Sequence, residues 1–296
     1  MITETLKVFV TVAQQRNFSK AAVLLNLSQP GVSLHIRNLE QEFGAKLMHR
    51  TSKLVKLTEA GEILFAQAQQ MLGLYEEAKQ RIHLLRDEVT GSLHIGASFT
   101  IGEYIMPWVL AEYAQQYPHV EVQVHISNTN TIVQAVRAGR FELGLVEGIV
   151  DAKDVQISPF MKDEMVLIAP PEHPLTMLKT ADIKHLQHQI WVMRESGSGT
   201  RAYSDKLIEH GDLSVKRSYV FNSSQGVKEA VAAGLGIALL SRLVIRKELD
   251  SGELCEIPIK TMKLSRELSI VQDKNQPQIM AVQKFMQSLD RHTRTL

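Results

Sequence analysis

Two short stretches of this 296-residue chain gather hydroxyls and glycines in spacings that suit the capture of a small polar or anionic molecule. They are Gly96-Ala97-Ser98-Phe99-Thr100 and Glu195-Ser196-Gly197-Ser198-Gly199-Thr200-Arg201. Each follows a strand-like apolar run and opens a helical pattern. A corner of this kind turns free backbone N–H groups and the positive end of a helix toward one point. Ser98, Thr100, Ser196, Ser198 and Thr200 would add side-chain donors, and Gly199 would let a ligand approach the backbone closely. Helix capping is the purely structural use of the same hydroxyls.

A third stretch carries different chemistry. Gln29, Pro30, Ser33, Leu34, Arg37 and Gln41 lie on one face of a helical pattern, and Val32, Ile36, Leu39 and Phe43 form the opposite, apolar stripe. Ser28 stands at its N-cap with Pro30 in the first turn, where the missing N–H costs little. Short polar groups at the start of the second of two closely joined helices are what reading base edges in the major groove of duplex DNA requires. Ser28, Gln29, Pro30, Ser33 and Leu34 are therefore the expected groove contacts, and Arg37, Arg50 and Lys53 the phosphate contacts.

Other chemistry finds little support. No Gly-x-x-x-x-Gly-Lys-Ser/Thr loop is present, and Arg194 stands where a nucleophile elbow around Ser196 would need glycine. None of the eleven histidines forms a His-Glu-x-x-His pair, and the lone Cys255 rules out an intrachain disulfide or a cysteine-rich zinc site. No catalytic constellation, metal or cofactor is expected. Neither a signal-peptide pattern at the N-terminus nor a run of 18 apolar residues occurs, so the reading is of a cytoplasmic protein with no membrane partner.

The elements that must position these residues follow from periodicity. Leu6, Phe9, Val10 and Ala13 mark a first helix, and Ser19 is the expected N-cap of a second over Ala21, Ala22 and Leu25. After the third helix, Leu47–Arg50 and Leu54–Leu57 read as a two-stranded wing around Thr51-Ser52-Lys53. Thr58 caps a long helix in which Leu64, Ala68, Met71, Tyr75, Ala78, Ile82 and Leu85 keep heptad spacing, the seam of a coiled coil between two chains. Strands and helices then alternate in the manner of parallel-sheet units: strands at 92–97, 120–127, 141–147, 165–169, 189–193, 218–221, 237–240 and 268–272, and helices at 101–117, 131–138, 199–210, 225–233 and 279–289.

The charge distribution agrees with a nucleic-acid partner at one end. The chain has a formal charge of only +1, yet residues 1–58 hold eight Lys or Arg against three acids, leaving a mildly acidic remainder. Two other functions compete with a DNA-reading regulator: a solute-binding protein whose N-terminal segment merely oligomerises it, and an enzyme with a fused DNA-binding domain.

The run Phe18-Ser19-Lys20-Ala21-Ala22, Leu25, Ser28-Gln29-Pro30-Gly31-Val32-Ser33, Ile36, Leu39-Glu40, Gly44, Leu47, Arg50 and Leu57-Thr58-Glu59-Ala60-Gly61 resembles the LysR-type transcriptional regulators. The resemblance implies an α/β chain: a winged helix-turn-helix (1–58), a linker and dimerisation helix (59–88), and a two-lobed effector domain similar to periplasmic binding proteins (89–296). Lobe 1 would take 89–163 and 267–296, and lobe 2 164–266. It implies a homodimer through antiparallel linker helices, commonly assembled into a tetramer, with RNA polymerase a further protein partner. It also implies base contacts from Gln29, Pro30 and Ser33 and an effector held by Ser98, Thr100, Ser196 and Ser198. Gly31 and Leu34 depart from the alanine and the polar residue common in the family; Leu34 suits a thymine methyl. The stretches 97–107, 142–148 and 194–201 resemble the branch governing sulfur assimilation and cysteine synthesis, or carbon fixation.

Overall fold

The structure is a computed structural model that describes residues 2–50, 55–84, 89–150, 152, 154–259, 264–274 and 279–294. The head begins with three helices, α1 (Ile2–Gln15), α2 (Phe18–Leu24) and α3 (Gln29–Glu42). Phe9, Val12, Ala21, Val32 and Leu39 pack into one core with essentially no exposure. Asn17, rather than Ser19, caps α2, its side chain accepting from the Lys20 N–H at 2.9 Å. The helix starts two residues earlier than the spacing predicts because Phe18 is itself buried in this core. Ser28 caps α3 as expected, accepting from the Gly31 N–H at 3.1 Å. Phe43 departs from the expected buried stripe: it is the C-cap, beyond the last full turn, and is 51% exposed.

The wing forms from β1 (Met48–Arg50) and β2 (Val55–Leu57), antiparallel with His49 opposite Lys56. Its turn, with Lys53, lies outside the described residues. Thr58 then caps α4 (Glu59–Leu84), its hydroxyl oxygen accepting from the Gly61 N–H at 3.0 Å. The heptad seam divides. Leu64 and Ala68 are buried in the head's own core, so only Met71, Tyr75 and Ala78 remain exposed; Ile82 and Leu85 have no described side chains. The exposed apolar stripe of α4 is instead Ile63, Met71, Leu74 and Tyr75.

The body opens with β3 (Gly91–Ser98), α5 (Phe99–Tyr104), α6 (Met106–Gln116), β4 (Val120–Ser127), α7 (Thr129–Arg137) and β5 (Leu143–Glu147). The single helix expected over 101–117 is broken at Ile105, because Pro107 has no N–H to continue the ladder. Next comes β6 (Val155–Ala169), which begins ten residues before the expected strand. Only its end is a continuous apolar run; its first part is held by pairing with β11 (Ser265–Asp273) over nine residues. Pro159 is accommodated where the register shifts between Leu268 and Ser269, an irregularity that excuses the lost N–H.

The rest comprises β7 (Ile190–Arg194), α8 (Gly199–His210), β8 (Arg217–Phe221), α9 (Ser224–Ala232), β9 (Ala238–Ser241), α10 (Arg242–Ser251), β10 (Cys255–Glu256) and α11 (Met280–Thr293). Sequence periodicity missed α10, whose Leu243, Val244 and Ile245 run together without helical spacing. One lobe has sheet order β4-β3-β5-β11-β6, and in the other β6 continues between β10 and β9. There β7 pairs with β8 and bridges to the start of β9 through Trp191 and Ile237. Thus β6 and β11 are the two strands that pass between the lobes, and each lobe has its own apolar core.

Candidate nucleic-acid interface and inter-lobe site

On α3 the burial pattern separates structure from surface. Val32, Ile36 and Leu39 are buried, while Pro30, Leu34 and Arg37 are exposed and Gln29 and Ser33 half-buried. Leu34, at 54% exposure, is an apolar group held in water on the face expected to meet bases. Gln29 Nε2 donates to Ser33 Oγ at 2.9 Å, which leaves the Gln29 carbonyl and the Ser33 proton for an external partner. Behind this face Glu40 accepts from Lys46 Nζ at 2.6 Å and from the Leu47 N–H at 3.0 Å. Burial pushes the Glu40 carboxyl up, but these donors and the Lys46 charge outweigh it and hold the group below its ordinary range. Arg50 ends β1 opposite Val55, and Lys53 lies outside the described residues.

The two hydroxyl-rich corners meet. Arg266, on β11 and fully buried, donates through Nη2 to Thr100 Oγ1 at 2.9 Å and through Nη1 to Thr200 Oγ1 at 2.8 Å. One guanidinium therefore ties the first corner to the second. Its Nε donates to Asp163 Oδ2 at 2.7 Å, and Nη2 lies 3.2 Å from Glu147 Oε2. Thr200 in turn donates to Glu147 Oε1 at 3.2 Å, and Ser241 to Asp163 Oδ1 at 2.6 Å. Burial pushes the Asp163 carboxyl up, against the pull of Arg266 and the Ser241 hydrogen bond.

The remaining predicted residues divide. Ser98 is 1% exposed and its Oγ has no hydrogen-bond partner. Ser198 caps α8, its Oγ accepting from the Arg201 N–H at 3.5 Å, so its hydroxyl serves the helix. Ser196 is exposed. Gly199 is needed for a different approach from the one expected: a Cβ there would overlap the Glu147 carbonyl oxygen, so this glycine lets the two lobes touch. The contact continues where the Asn130 N–H donates to the Gly197 carbonyl at 3.2 Å.

Sequence reasoning missed the charged residues of this site. Arg194, 1% exposed, donates through Nε to Glu195 Oε2 at 2.8 Å and through Nη1 to Ser224 Oγ at 3.0 Å, and its guanidinium carbon lies 4.3 Å from the centre of the Phe99 ring. Glu147, Asp163 and Arg266 lay in apolar or alternating runs, where a charged residue due to be buried was the available signal. Beside Arg266 a cavity of about 390 Å³, lined by Gly148, Lys162, Tyr203 and Ser269 among others, is within the size range of small-ligand sites. Among the described residues no cluster of His, Cys, Asp and Glu could hold a metal ion, and no helix is long and apolar enough to cross a membrane.

Comparison with known proteins identifies the two parts of the chain. Residues 3–62 match the model of the bacterial regulatory helix-turn-helix proteins of the lysR family, and residues 86–294 that of the LysR substrate binding domain. The transcriptional regulator CysL of Bacillus subtilis is 44% identical over 271 residues, covering 92% of this chain and 91% of CysL. Full-length OxyR of Pseudomonas aeruginosa superposes with a TM-score of 0.77 at 22% identity, over 99% of this chain and 95% of the other. The regulatory domain of Synechocystis CcmR, solved in complex with 2-PG, gives a TM-score of 0.66 at 26% identity, over 70% of this chain and 99% of that domain. With a DNA-reading head in front and an effector-binding domain behind, the chain belongs to the LysR family of transcriptional regulators.

Proposed function

We propose that this regulator reads DNA through Ser28, Gln29, Pro30, Ser33 and Leu34, is positioned on phosphate by Arg37, Arg50 and Lys53, and responds to a small polar molecule bound between its lobes. The observation that carries the reading is the single guanidinium of Arg266 joining Thr100 of one corner to Thr200 of the other. A molecule competing for those hydroxyls changes how the lobes meet, and its different affinity for the two arrangements is what couples it to DNA. The working units are the head (1–58), the linker helix (59–88), and lobes bounded near 163–164 and 266–267, where β6 and β11 cross. The protein acts in the cytoplasm as a homodimer through α4, assembling further to a tetramer, with RNA polymerase as the partner it recruits or blocks.

Its targets are genes of sulfur assimilation and cysteine synthesis. Supporting this is the 44% identity with CysL; the likeness of 97–107, 142–148 and 194–201 is to the branch governing sulfur assimilation and cysteine synthesis, or carbon fixation. A small anion as effector is supported by the 2-PG found with CcmR. The test is a mobility-shift titration with duplexes from upstream of the chain's own and neighbouring genes, run at two salt concentrations. Arg37→Ala and Arg50→Ala should weaken binding. Affinity that does not change with salt would refute the phosphate contacts.

A further inference from the structure

Two helices of the body end in the same way and differ in what lies beyond them. After α7 the N–H groups of Gly139 and Arg140 donate to the carbonyls of Val136 and Ala135, both at 2.9 Å. After α9 those of Gly234 and Leu235 donate to Val231 and Ala230 at 2.9 and 3.0 Å. Both glycines hold the left-handed backbone that this closure needs, at φ +63° and +83°. A Cβ at Gly234 would meet nothing within 4 Å, whereas one at Gly139 would overlap Gln69 Nε2 of α4. Gln14 of α1 reaches the same turn, its Nε2 donating to the Gly139 carbonyl at 3.1 Å. Helix termination accounts for both glycines, but Gly139 is also a seat for the head and the linker helix. The apolar core of the head shares no residue with that of the lobe built on β3, β4 and β5, and a cavity of about 550 Å³ lined by Lys7, Gln70 and Glu142 among others lies beside the turn. Local polar contacts, not a common core, therefore seat the head here.

The other end of α7 lies where the lobes touch. Asn128 caps the helix and donates through Nδ2 to Glu195 Oε1 at 3.3 Å, and the Asn130 N–H donates to the Gly197 carbonyl at 3.2 Å, both across to the second corner. Thr129 donates to the Glu147 carbonyl at 2.9 Å, the same oxygen against which Gly199 packs. The nine residues of α7 place these two ends about 14 Å apart on one stiff element. We propose that α7 couples the inter-lobe cleft to the DNA-reading head: a change in how the second corner meets its first turn displaces the Gly139 turn, and with it α1 and α4. This rests on the reading that the arrangement of the lobes governs DNA binding. Each tie of the head is a single polar contact, weak enough to yield to the modest free energy by which a ligand favours one arrangement over another. Ala66, Gln69 and Gly73 line the side of α4 toward the body, so the seat leaves the exposed Met71 and Leu74 free.

The experiment measures the distance from head to body in the full-length protein, without effector or DNA, by electron double resonance between spin labels. The labels go on Lys20→Cys and Gln115→Cys, both exposed positions, in a Cys255→Ala background diluted with unlabelled chain so that the distance within one chain is read. The head is tied by side chains, so a distance registers the loss where exchange of its helical amides would not. Asparagine accepts the left-handed backbone, so Gly139→Asn and Gly234→Asn should unfold at similar midpoints and differ only in displacing Gln69. Gly139→Asn should shift or broaden the distance, Gln14→Ala should act in the same direction without touching the backbone of the turn, and Gly234→Asn should match wild type. Gly199→Ala, which disturbs the far end of α7 through the Glu147 carbonyl, should also move the head, and should add nothing to Gly139→Asn. A head unmoved by both Gly139→Asn and Gln14→Ala overturns the seat, as does one moved equally by Gly234→Asn. A head moved by Gly139→Asn but not by Gly199→Ala overturns the coupling along α7. If the head moves as expected while every variant keeps wild-type DNA affinity, it is the reading beneath, that lobe arrangement governs DNA binding, which fails.

Discussion

Arg266 and Asp163 are register partners on β11 and β6, joined Nε to Oδ2 at 2.7 Å where both strands pass from one lobe to the other. Neither side chain is exposed. The pair therefore sits where the chain crosses between the lobes, and through Thr100 and Thr200 it reaches both hydroxyl-rich corners. A group that took either hydroxyl would therefore also alter the surroundings of this buried charge.

Arg266→Met should cost about 3–5 kcal/mol of effector-domain stability at pH 7.5, because it leaves two buried carboxylates without their cation. Burial already raises the Asp163 carboxyl, and removing Arg266 raises it further. A carboxyl raised in the folded state is stabilising when protonated, so its penalty grows as pH rises above the unfolded value of about 3.9 and shrinks as pH falls toward it. Urea unfolding at pH 7.5 and pH 5 should show a smaller deficit at the lower pH. A deficit unchanged between the two would mean that Asp163 is not the group left uncompensated.

Much of this architecture could be read from residue types. The exposed face of α3 was legible because one side of a helix must be apolar, and Val32, Ile36 and Leu39 left only the other in water. The corners at 96–100 and 195–201 were legible because hydroxyls and glycine after an apolar run mark a strand-to-helix turn. The ion cluster was not legible, since Glu147, Asp163 and Arg266 come from three strands far apart in the chain and nothing local signals that they meet. The seam of α4 misled for a related reason: heptad spacing records that a helix face is buried, not by what, and Leu64 and Ala68 are covered by the chain's own head.

Gly199→Ala should push the lobes apart. The helical backbone at 199 admits alanine, but the new methyl overlaps the Glu147 carbonyl, so relief requires movement of one lobe against the other. A cost of about 1–3 kcal/mol is expected for such overpacking. Hydrogen exchange should quicken at 146–149 and 195–200 while residues 2–50 keep wild-type rates. Unchanged exchange at both segments would show that the contact does not hold the lobes.

The exposed stripe of α4 gives a test of assembly. Met71 and Leu74 are 54% and 59% exposed, too much apolar surface on one helix to be left in water. The double substitution Met71→Glu with Leu74→Glu should shift sedimentation from dimer toward monomer at low micromolar concentration. Because neither residue belongs to the head's core, the head should keep its unfolding midpoint. A dimer that survives would place the interface elsewhere.

Two substitutions on one helix should separate positioning from reading. Arg37 is exposed one turn beyond Ser33, where it can reach a phosphate but adds no sequence information. Arg37→Ala should weaken binding to specific and scrambled duplexes about equally and reduce the slope of log K against log salt by about one. Gln29 stands in the first turn, its amide already oriented by Ser33 at 2.9 Å, with acceptor capacity left for a base edge. Gln29→Ala should therefore leave the salt slope unchanged and remove about 1–3 kcal/mol of discrimination between the two duplexes. If both variants lost affinity uniformly, with both salt slopes reduced, α3 would be touching only the backbone, and sequence would have to be read by the wing or by the shape of the DNA.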